Sequence, residues 1–185
     1  MSSLSQKRII LGITGGIAAY KSAEIARRLQ DQGAEVRVIM TDSAQEFIRP
    51  LTLQALTGKP VHTDLLDPKA EAAMGHIELA RWADAILVAP ATANFIAALS
   101  QGTANDLLTS VCLASSGKII VAPAMNQVMW SQPSSRENIE CLKRRGIAIL
   151  EPDSGVQACG DIGPGRLQQP DTIVEHMDSI FESGI

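Results

Sequence analysis

The sequence contains few aromatic residues and no long uninterrupted apolar run, and both absences narrow the possible protein classes. Phe, Trp and Tyr together make up 3% of the 185 residues, so aliphatic side chains and methionine must build the core. The most apolar stretch, 83–99, is interrupted by Asp84, Pro90 and Asn94. Because a membrane-spanning helix needs about 20 apolar residues, we expect no membrane span.

An excess of basic charge is also missing. The 16 Lys and Arg residues stand against 20 Asp and Glu residues, and the formal net charge is −4. A nucleic-acid partner requires a basic face that displaces counterions, so we expect no nucleic-acid binding. The three cysteines form no Cys-x-x-Cys pair, and no Cys or His residues have metal-ligand spacing. The sequence therefore predicts reduced thiols, no metal site and a cytoplasmic protein, since residues 1–8 lack a signal-peptide pattern.

Short apolar segments alternate with amphipathic segments along the chain. The pattern predicts strands at 8–14, 34–40, 84–89, 118–122 and 147–150, and helices at 17–32, 95–100, 104–116, 137–145 and 171–182. Such alternation is typical of right-handed βαβ units and a parallel sheet covered on both faces. We therefore predict a single α/β domain over 1–185, with a Rossmann-like (flavodoxin-like) open parallel sheet.

Two segments, 57–75 and 153–170, interrupt this alternation and contain many glycines and prolines. We predict both to be irregular, and the second to be a functional loop, because long loops in compact domains often serve as lids. Packing gives no reason for Cys159 on that loop, and a protonated thiol there could donate a proton. Cys112 and Cys141 lie in helical stretches and are expected to be packing residues.

Small or polar residues follow four of the predicted strands, at the edge where open α/β sheets bind ligands. They are Gly15 and Gly16, then Thr41, Asp42 and Ser43, then Thr92, Ala93 and Asn94, and finally Asn126. The glycine turn precedes a helix N-terminus, which suits a phosphate, but it lacks the G-x-G-x-x-G spacing of dinucleotide sites. The hydroxyls favour a mononucleotide phosphate, although each hydroxyl alone could equally be a helix cap.

The segment 121–130 (VAPAMNQVMW) ends a strand with an amide side chain. Pro123 has no N–H for the sheet ladder, and Asn126 offers donors and an acceptor beyond it. Two interpretations are open: Asn126 caps a helix whose Met129 and Trp130 pack in the core, or Asn126 binds a ligand. His76 follows Gly75, and a lone histidine is more often structural than catalytic.

Five segments together resemble one family, the homo-oligomeric flavin-containing cysteine decarboxylases. They are GGIAAYK at 15–21, Gly75-His76, PATAN at 90–94, PAMN at 123–126 with Met129 and Trp130, and ACG at 158–160. Within the family, the chain is similar to the branch that acts in bacterial coenzyme A synthesis. The resemblance covers nearly the whole chain; PAMN…MW and ACG are specific, whereas the glycine turn alone is not.

The resemblance implies a carboxy-lyase that binds FMN. The implied reaction converts 4′-phosphopantothenoylcysteine to 4′-phosphopantetheine through thioaldehyde and enethiolate intermediates. The implied catalytic residues are His76, Asn126, which holds the substrate carboxylate, and Cys159, which donates a proton; Met129 also contacts substrate. The implied cofactor-binding residues are Gly15, Gly16, Ile17, Thr41, Asp42, Ser43, Thr92, Ala93, Asn94, Phe95 and Ala124.

The resemblance also implies trimers assembled into a dodecamer, with the flavin at a subunit contact. Many bacterial members carry a fused phosphopantothenate-cysteine ligase domain, which residues 1–185 do not contain. Decarboxylation of a C-terminal peptidyl cysteine shares the same chemistry and stays open as an alternative. A non-catalytic binding flavoprotein is disfavoured because Asn126 and Cys159 are both present, and a flavin prenyltransferase needs neither PAMN…MW nor the cysteine loop.

Overall fold

The computed structural model describes residues 2–66 and 75–183. Its centre is a parallel sheet of six strands: β1 (Arg8–Ile13), β2 (Glu35–Met40), β3 (Val61–His62), β4 (Ala85–Ala91), β5 (Lys118–Pro123) and β6 (Ala148–Ile149). The strand order is β3-β2-β1-β4-β5-β6, and every pairing is parallel. Without the two-residue edge strand β3, the other five strands follow the flavodoxin order 2-1-3-4-5. The predicted Rossmann-like (flavodoxin-like) sheet is confirmed.

Helices cover both faces of the sheet. They are α1 (Lys21–Asp31), α2 (Asp42–Gln45), α3 (Pro50–Thr57), α4 (Gly75–Trp82), α5 (Ala93–Gln101), α6 (Leu107–Ala114), α7 (Gln127–Ser131), α8 (Pro133–Arg144) and α9 (Pro170–Glu182), with a 3-10 turn at Ile17–Tyr20. Successive side chains of a strand point to opposite faces, so β1 sends Ile9 and Leu11 into one core with α1, α3 and α9. Ile10 points into the other core, which α4, α5, α6 and α8 cover.

The structure corrects the prediction of an irregular loop over 153–170. Residues Asp153–Val156 form β7 and Ile162–Arg166 form β8, an antiparallel hairpin separate from the main sheet. Its glycines conceal the strand pattern because they lower strand propensity, yet they let the hairpin backbone lie close to its neighbours. A Cβ on Gly163 would lie 2.8 Å from Cβ of Gln127, and one on Gly165 would overlap the Met125 carbonyl. Long-range packing, which local pattern does not encode, therefore makes this hairpin.

Other elements differ from the predictions mainly in their boundaries. The predicted strand 84–89 continues through Pro90 to Ala91, and the predicted helix 17–32 begins as a 3-10 turn. Helix α6 begins after a capping box of Asp106 and Thr109 instead of at residue 104. The segment 57–75 contains the short strand β3, so its first part is not irregular; residues 67–74 lie outside the described ranges. Among the helices that the structure describes, none is both long and apolar enough to cross a membrane.

Candidate functional site

Two adjoining cavities lie over the carboxyl ends of the sheet strands, and Thr92 lines both. The first, here called the hydroxyl cavity, has a volume of about 390 Å³ and is lined mainly by polar side chains, among them Thr14, Thr41, Asp42, Ser43, Thr63, Asp64, Asn94, Asn105, Asp106 and Thr109, with Phe95. The second, the hairpin cavity, has a volume of about 480 Å³ and is lined by Gly15, Gly16, Ile17, Tyr20, Lys21, Ala93, Ala124, Asn126, Met129, Gln157, Cys159 and Arg166, among others. The sequence-predicted residues, except His76, each line one of these cavities.

The hydroxyls of the hydroxyl cavity serve as helix caps. Thr41 caps α2 by accepting the N–H of Ala44 at 3.3 Å, and Thr92 caps α5 by accepting the N–H of Phe95 at 3.3 Å. The capping interpretation is therefore correct for both threonines. A hydroxyl that accepts a backbone N–H still has its own O–H to donate, so these caps can also bind an anion.

Thr14 positions Thr92 and was missed by the sequence analysis. Its side chain is buried, donates its O–H to the carbonyl oxygen of Pro90 at 2.7 Å, and accepts the N–H of Thr92 at 3.0 Å. This residue thus ties the end of β1 to the end of β4. Its signal in the sequence is a hydroxyl at the last position of an apolar strand, directly before Gly15.

Gly15 brings the turn after β1 close to the turn after β2. A Cβ at Gly15 would overlap the side chain of Ser43, whereas the nearest atom to a Cβ at Gly16 is 3.9 Å away. The lack of a side chain at Gly15 is therefore a requirement of space. It lets Ser43 approach to 3.2 Å from the Thr41 hydroxyl, which concentrates donors at one end of the cavity.

Asn126 caps a helix and also lines the hairpin cavity. It caps α7, since its Oδ1 accepts the N–H of Val128 at 2.8 Å. That bond turns Nδ2 towards the hairpin, where it donates to Oδ2 of Asp161 at 2.8 Å and lies 3.4 Å from Sγ of Cys159. The amide therefore caps a helix through its oxygen and donates to the Asp161 carboxylate, beside the hairpin cavity, through its nitrogen.

The two apolar residues after Asn126 have different environments. Trp130 is buried, as the packing interpretation expects, and its ring lies 4.6 Å from the Arg136 guanidinium. Met129 is 46% exposed and lines the hairpin cavity. The interpretation of Met129 as core packing is wrong, because the first turn of α7 carries it towards the cavity instead.

Gln157 fastens the hairpin to the start of α7 and was also missed. Its Oε1 accepts the N–H of Gln127 at 3.0 Å, and its Nε2 donates to the carbonyl of Pro164 at 3.2 Å. A backbone bond from the N–H of Met125 to the carbonyl of Gly165, 2.9 Å long, joins the same two elements. These contacts depend on how the hairpin docks, so the residue pattern alone gives no signal for Gln157 beyond its closeness to ACG.

Two cations line the hairpin cavity, and no acidic side chain does among the described lining residues. The ammonium of Lys21 donates to the carbonyl of Leu167 at 2.9 Å. Burial lowers the pKa of Lys21, and repulsion from Arg166 lowers it further. Neither cation was predicted, since each is a lone basic residue in the sequence.

The three cysteines occupy different environments. Cys159 is exposed at the hairpin turn, whereas Cys112 is buried in α6. Burial, with a smaller effect from Asp106, raises the pKa of the Cys112 thiol to about 12, so that thiol stays protonated. Cys141 is partly buried, and its Sγ lies 4.0 Å from the carbonyl of Ser100. Cys159 is thus the cysteine that lies at the site.

His76 lies apart from these groups in the single chain. It is in the first turn of α4 and lines neither cavity. Its Nδ1 is buried and has no hydrogen-bond partner among the described residues. The structure therefore does not bring His76 together with Asn126 and Cys159 within one chain.

Comparison with known proteins places the chain among flavin-binding relatives. A family model described as Flavoprotein matches residues 1–182. The coenzyme A biosynthesis bifunctional protein CoaBC of Vibrio cholerae is 55% identical over 181 residues, and that of Escherichia coli is 57% identical over 173 residues. These alignments cover 98% and 94% of this chain but 45% and 43% of the relatives. The chain therefore spans less than half the length of these curated relatives.

Solved structures give a matching result. A PPC decarboxylase mutant complexed with pantothenoylaminoethenethiol has a TM-score of 0.86 and 30% identity, over 96% of this chain and 99% of that one. The FMN-dependent cysteine decarboxylase SpaF has a TM-score of 0.84 and 32% identity, over 97% of this chain and 99% of that one. Each likeness extends over nearly the whole chain.

Proposed function

The chain belongs to the Flavoprotein family, and on this premise we propose that it binds FMN and decarboxylates 4′-phosphopantothenoylcysteine to 4′-phosphopantetheine. The observation that carries the proposal is the approach of the Asn126 amide to the Cys159 thiol. Nδ2 of Asn126 and Sγ of Cys159 lie 3.4 Å apart in the hairpin cavity, which adjoins the hydroxyl cavity with its many hydrogen-bond donors. The amide can donate to the carboxylate of a cysteine substrate, and the thiol can donate a proton to the product that remains after CO₂ is lost.

The two cavities fit the two ends of FMN. The hydroxyl cavity offers Thr41, Ser43, Thr92 and Asn94, which are donors suited to a phosphomonoester. The hairpin cavity offers apolar surface from Ile17, Ala93 and Ala124, which suits a planar ring. Gly16 leaves open space at the junction of the two cavities, since the nearest atom to a Cβ there is 3.9 Å away, on Thr92. The acids Asp42, Asp64 and Asp106 would face away from the phosphate and can accept the hydroxyls of the sugar chain.

The protein's part in the reaction is orientation and proton delivery. When bound, FMN supplies reversible two-electron chemistry at the cysteine carbon–sulfur unit, with no net redox change over the whole reaction. Nδ2 of Asn126 would donate to the substrate carboxylate, at the place where it now donates to Asp161. The thiol of Cys159 would then protonate the decarboxylated product. The hairpin, fastened by Gln157, would keep water from the reacting atoms.

We further propose that the active protein is a homo-oligomer in which His76 of one chain completes the site of another. Within one chain His76 lines neither cavity. The rim of the hairpin cavity carries exposed apolar side chains, with Ile17 at 64%, Tyr20 at 62% and Val156 at 62% exposure. A monomer gains nothing from such a surface, whereas a neighbouring chain would cover it. Trimers assembled into a dodecamer are the arrangement that we propose.

Mixed oligomers test this arrangement directly. His76→Asn and Cys159→Ser chains should each form little 4′-phosphopantetheine alone. They should regain its formation when unfolded together and refolded as hybrids, because some sites would combine an intact His76 of one chain with an intact Cys159 of another. Light scattering should give the mass of the assembly. Hybrids that stay inactive, although mixed oligomers form, would show that His76 acts within its own chain or is structural.

Two wider proposals follow from the relatives. Since the chain spans less than half of relatives that are called bifunctional, the natural polypeptide would continue into a second domain, for which we propose a phosphopantothenate-cysteine ligase. We also propose that the protein is cytoplasmic. The test of the main proposal is a visible spectrum of the purified protein, followed by assays of CO₂ release. We expect flavin absorption and release from 4′-phosphopantothenoylcysteine; release only from a cysteine-terminated peptide would instead assign peptide modification.

A further inference from the structure

The hairpin cavity carries two cationic side chains, and the carboxylate of Asp161 lies beside it, 2.8 Å from Nδ2 of Asn126. Lys21 and Arg166 line it, and no Asp or Glu does among the described lining residues, although the net charge is −4. The hydroxyl cavity beside it contains three aspartates. The two cations on its wall favour binding of an anionic group in the hairpin cavity.

The guanidinium of Arg166 is held over the hairpin and has no partner in the described part of the chain. A Cβ at Gly155 would lie 2.5 Å from Nη1 of Arg166, so the guanidinium can lie there only because residue 155 has no side chain. Asp153 is opposite Arg166 in the hairpin register but forms no ion pair with it. The side chain is exposed, and its fork of N–H donors is available to a ligand.

The position of Arg166 relates it to the reacting end of the substrate. Gly165, directly before it, accepts the N–H of Met125, directly before Asn126, at 2.9 Å. Arg166 and Asn126 thus lie on neighbouring segments of one cavity wall. A ligand with a carboxylate at Asn126 can extend along this wall to Arg166.

We propose that Arg166, with Lys21 beside it, binds the phosphate monoester of the substrate and so selects a phosphorylated pantothenoyl cysteine over a peptidyl cysteine. This rests on the function proposed above. A phosphate at neutral pH carries a charge between about −1.5 and −2, and a guanidinium can bind two of its oxygens at once. A C-terminal peptidyl cysteine has no second anion to offer. Arg166 is thus a specificity-determining residue, separate from Asn126 and Cys159.

The experiment compares two ligands that differ only in the phosphate. Isothermal titration of FMN-loaded protein with 4′-phosphopantetheine and with pantetheine measures binding without turnover. Arg166→Gln should weaken binding of 4′-phosphopantetheine by about 10- to 100-fold, the size expected for a lost charge-assisted hydrogen bond, and leave pantetheine binding unchanged. Arg166→Lys should recover part of the loss. Arg144→Gln, an exposed arginine on α8 that lines neither cavity, is the matched control.

Each outcome decides the matter. An equal loss for both ligands would show that Arg166 contacts the shared part of the molecule, and an unchanged affinity for both would show no contact; either result overturns the proposal. The titration is independent of catalysis, so a protein that releases no CO₂ yet binds 4′-phosphopantetheine through Arg166 would refute the reaction and keep this site. Conversely, normal decarboxylation with no effect of Arg166→Gln on binding or KM would keep the reaction and remove the site.

Discussion

The hydroxyl cavity and the hairpin cavity share Thr92 but are built in different ways. The first consists of turns that directly follow β1, β2 and β4, and its hydroxyls cap the helices that those turns begin. The second needs a separate hairpin that packs against α7 through Gly163, Gly165 and Gln157. One cavity is thus an intrinsic product of the βαβ topology, whereas the other is added to it. The comparison predicts that changes to Asn126 and Cys159 affect chemistry and spare cofactor binding, whereas changes in the hydroxyl cavity weaken cofactor binding.

The largest effect is expected for Cys159→Ser. A serine hydroxyl is a much weaker acid than a thiol, so formation of the reduced product should fall by about 10²- to 10⁴-fold, the range for loss of a general acid. FMN absorption and CO₂ release should persist, since neither needs the thiol proton. Product analysis by mass spectrometry measures this. Cys141→Ser, which changes a cysteine away from both cavities, should behave as the unaltered protein; normal output from Cys159→Ser would remove this residue from the mechanism.

A smaller loss is expected for Asn126→Asp. Aspartate caps helices as well as asparagine does, so α7 and the melting temperature should be nearly unchanged. The substitution removes the Nδ2 donor and places a negative charge beside Asp161 and the incoming carboxylate. We expect kcat/KM to fall by about a hundredfold or more, with FMN still bound. A parallel loss of FMN would contradict the separation of the two cavities.

Thr14→Val tests the comparison from the other side. Valine has nearly the same shape, but it leaves the Thr92 N–H and the Pro90 carbonyl without the bonds that Thr14 makes. We expect a loss of about 1–3 kcal/mol in unfolding free energy together with weaker FMN binding. Thr57→Val is the matched control, because Thr57 is also buried and donates to the Leu53 carbonyl, but on α3 away from the cavities. Similar FMN affinities in the two variants would show that Thr14 has no role at the site.

The smallest effect is expected for Asp84→Asn, at the amino ends of the strands, away from both cavities. Hydrogen bonds from Arg8 chiefly lower the pKa of the Asp84 carboxyl, and the charge of Arg8 adds to this. A lowered pKa in the folded state stabilises the protein above the unfolded value of about 3.9, and the contribution is lost as pH falls through the folded value. The pair is partly exposed, so we expect a melting temperature only about 1–3 °C lower at pH 7. Thermal melts should show the difference vanishing in acid; a difference that persists there would have another cause.

The sequence predicts the hydroxyl cavity well because its residues follow strands directly. Thr41, Ser43, Thr92 and Asn94 each come within a few residues of a strand end, and parallel strands bring such ends to one edge. The same rule locates Asn126, although the pattern alone left open whether it caps or binds. The structure shows that it caps α7 and lines the hairpin cavity, and its binding of substrate stays a prediction. The start of α6 completes the hydroxyl cavity with Asn105, Asp106 and Thr109, which do not follow a strand directly and were not predicted.

The hairpin cavity could be predicted only in part. Resemblance identifies Cys159, but Gln157, Asp161 and Arg166 reach the site because a glycine-rich segment folds as a hairpin and docks on α7. Such packing depends on residues about 30 positions away in the chain, and glycines hide the strands themselves. The roles assigned to His76 and to the other site residues stay predictions, which the variants above test.

The bond between Asn126 and the N–H of Val128 has a thermodynamic consequence. Because the bond to α7 already fixes the amide, the Asn126 side chain loses no further rotamer freedom when a ligand binds. Ordering a mobile polar side chain on binding costs about 0.5–1.5 kcal/mol, and this cost is absent here. Before a ligand binds, Nδ2 of Asn126 donates to the carboxylate of Asp161. The site is therefore preorganised, and the substrate carboxylate would replace the Asp161 carboxylate as the acceptor of the same donor.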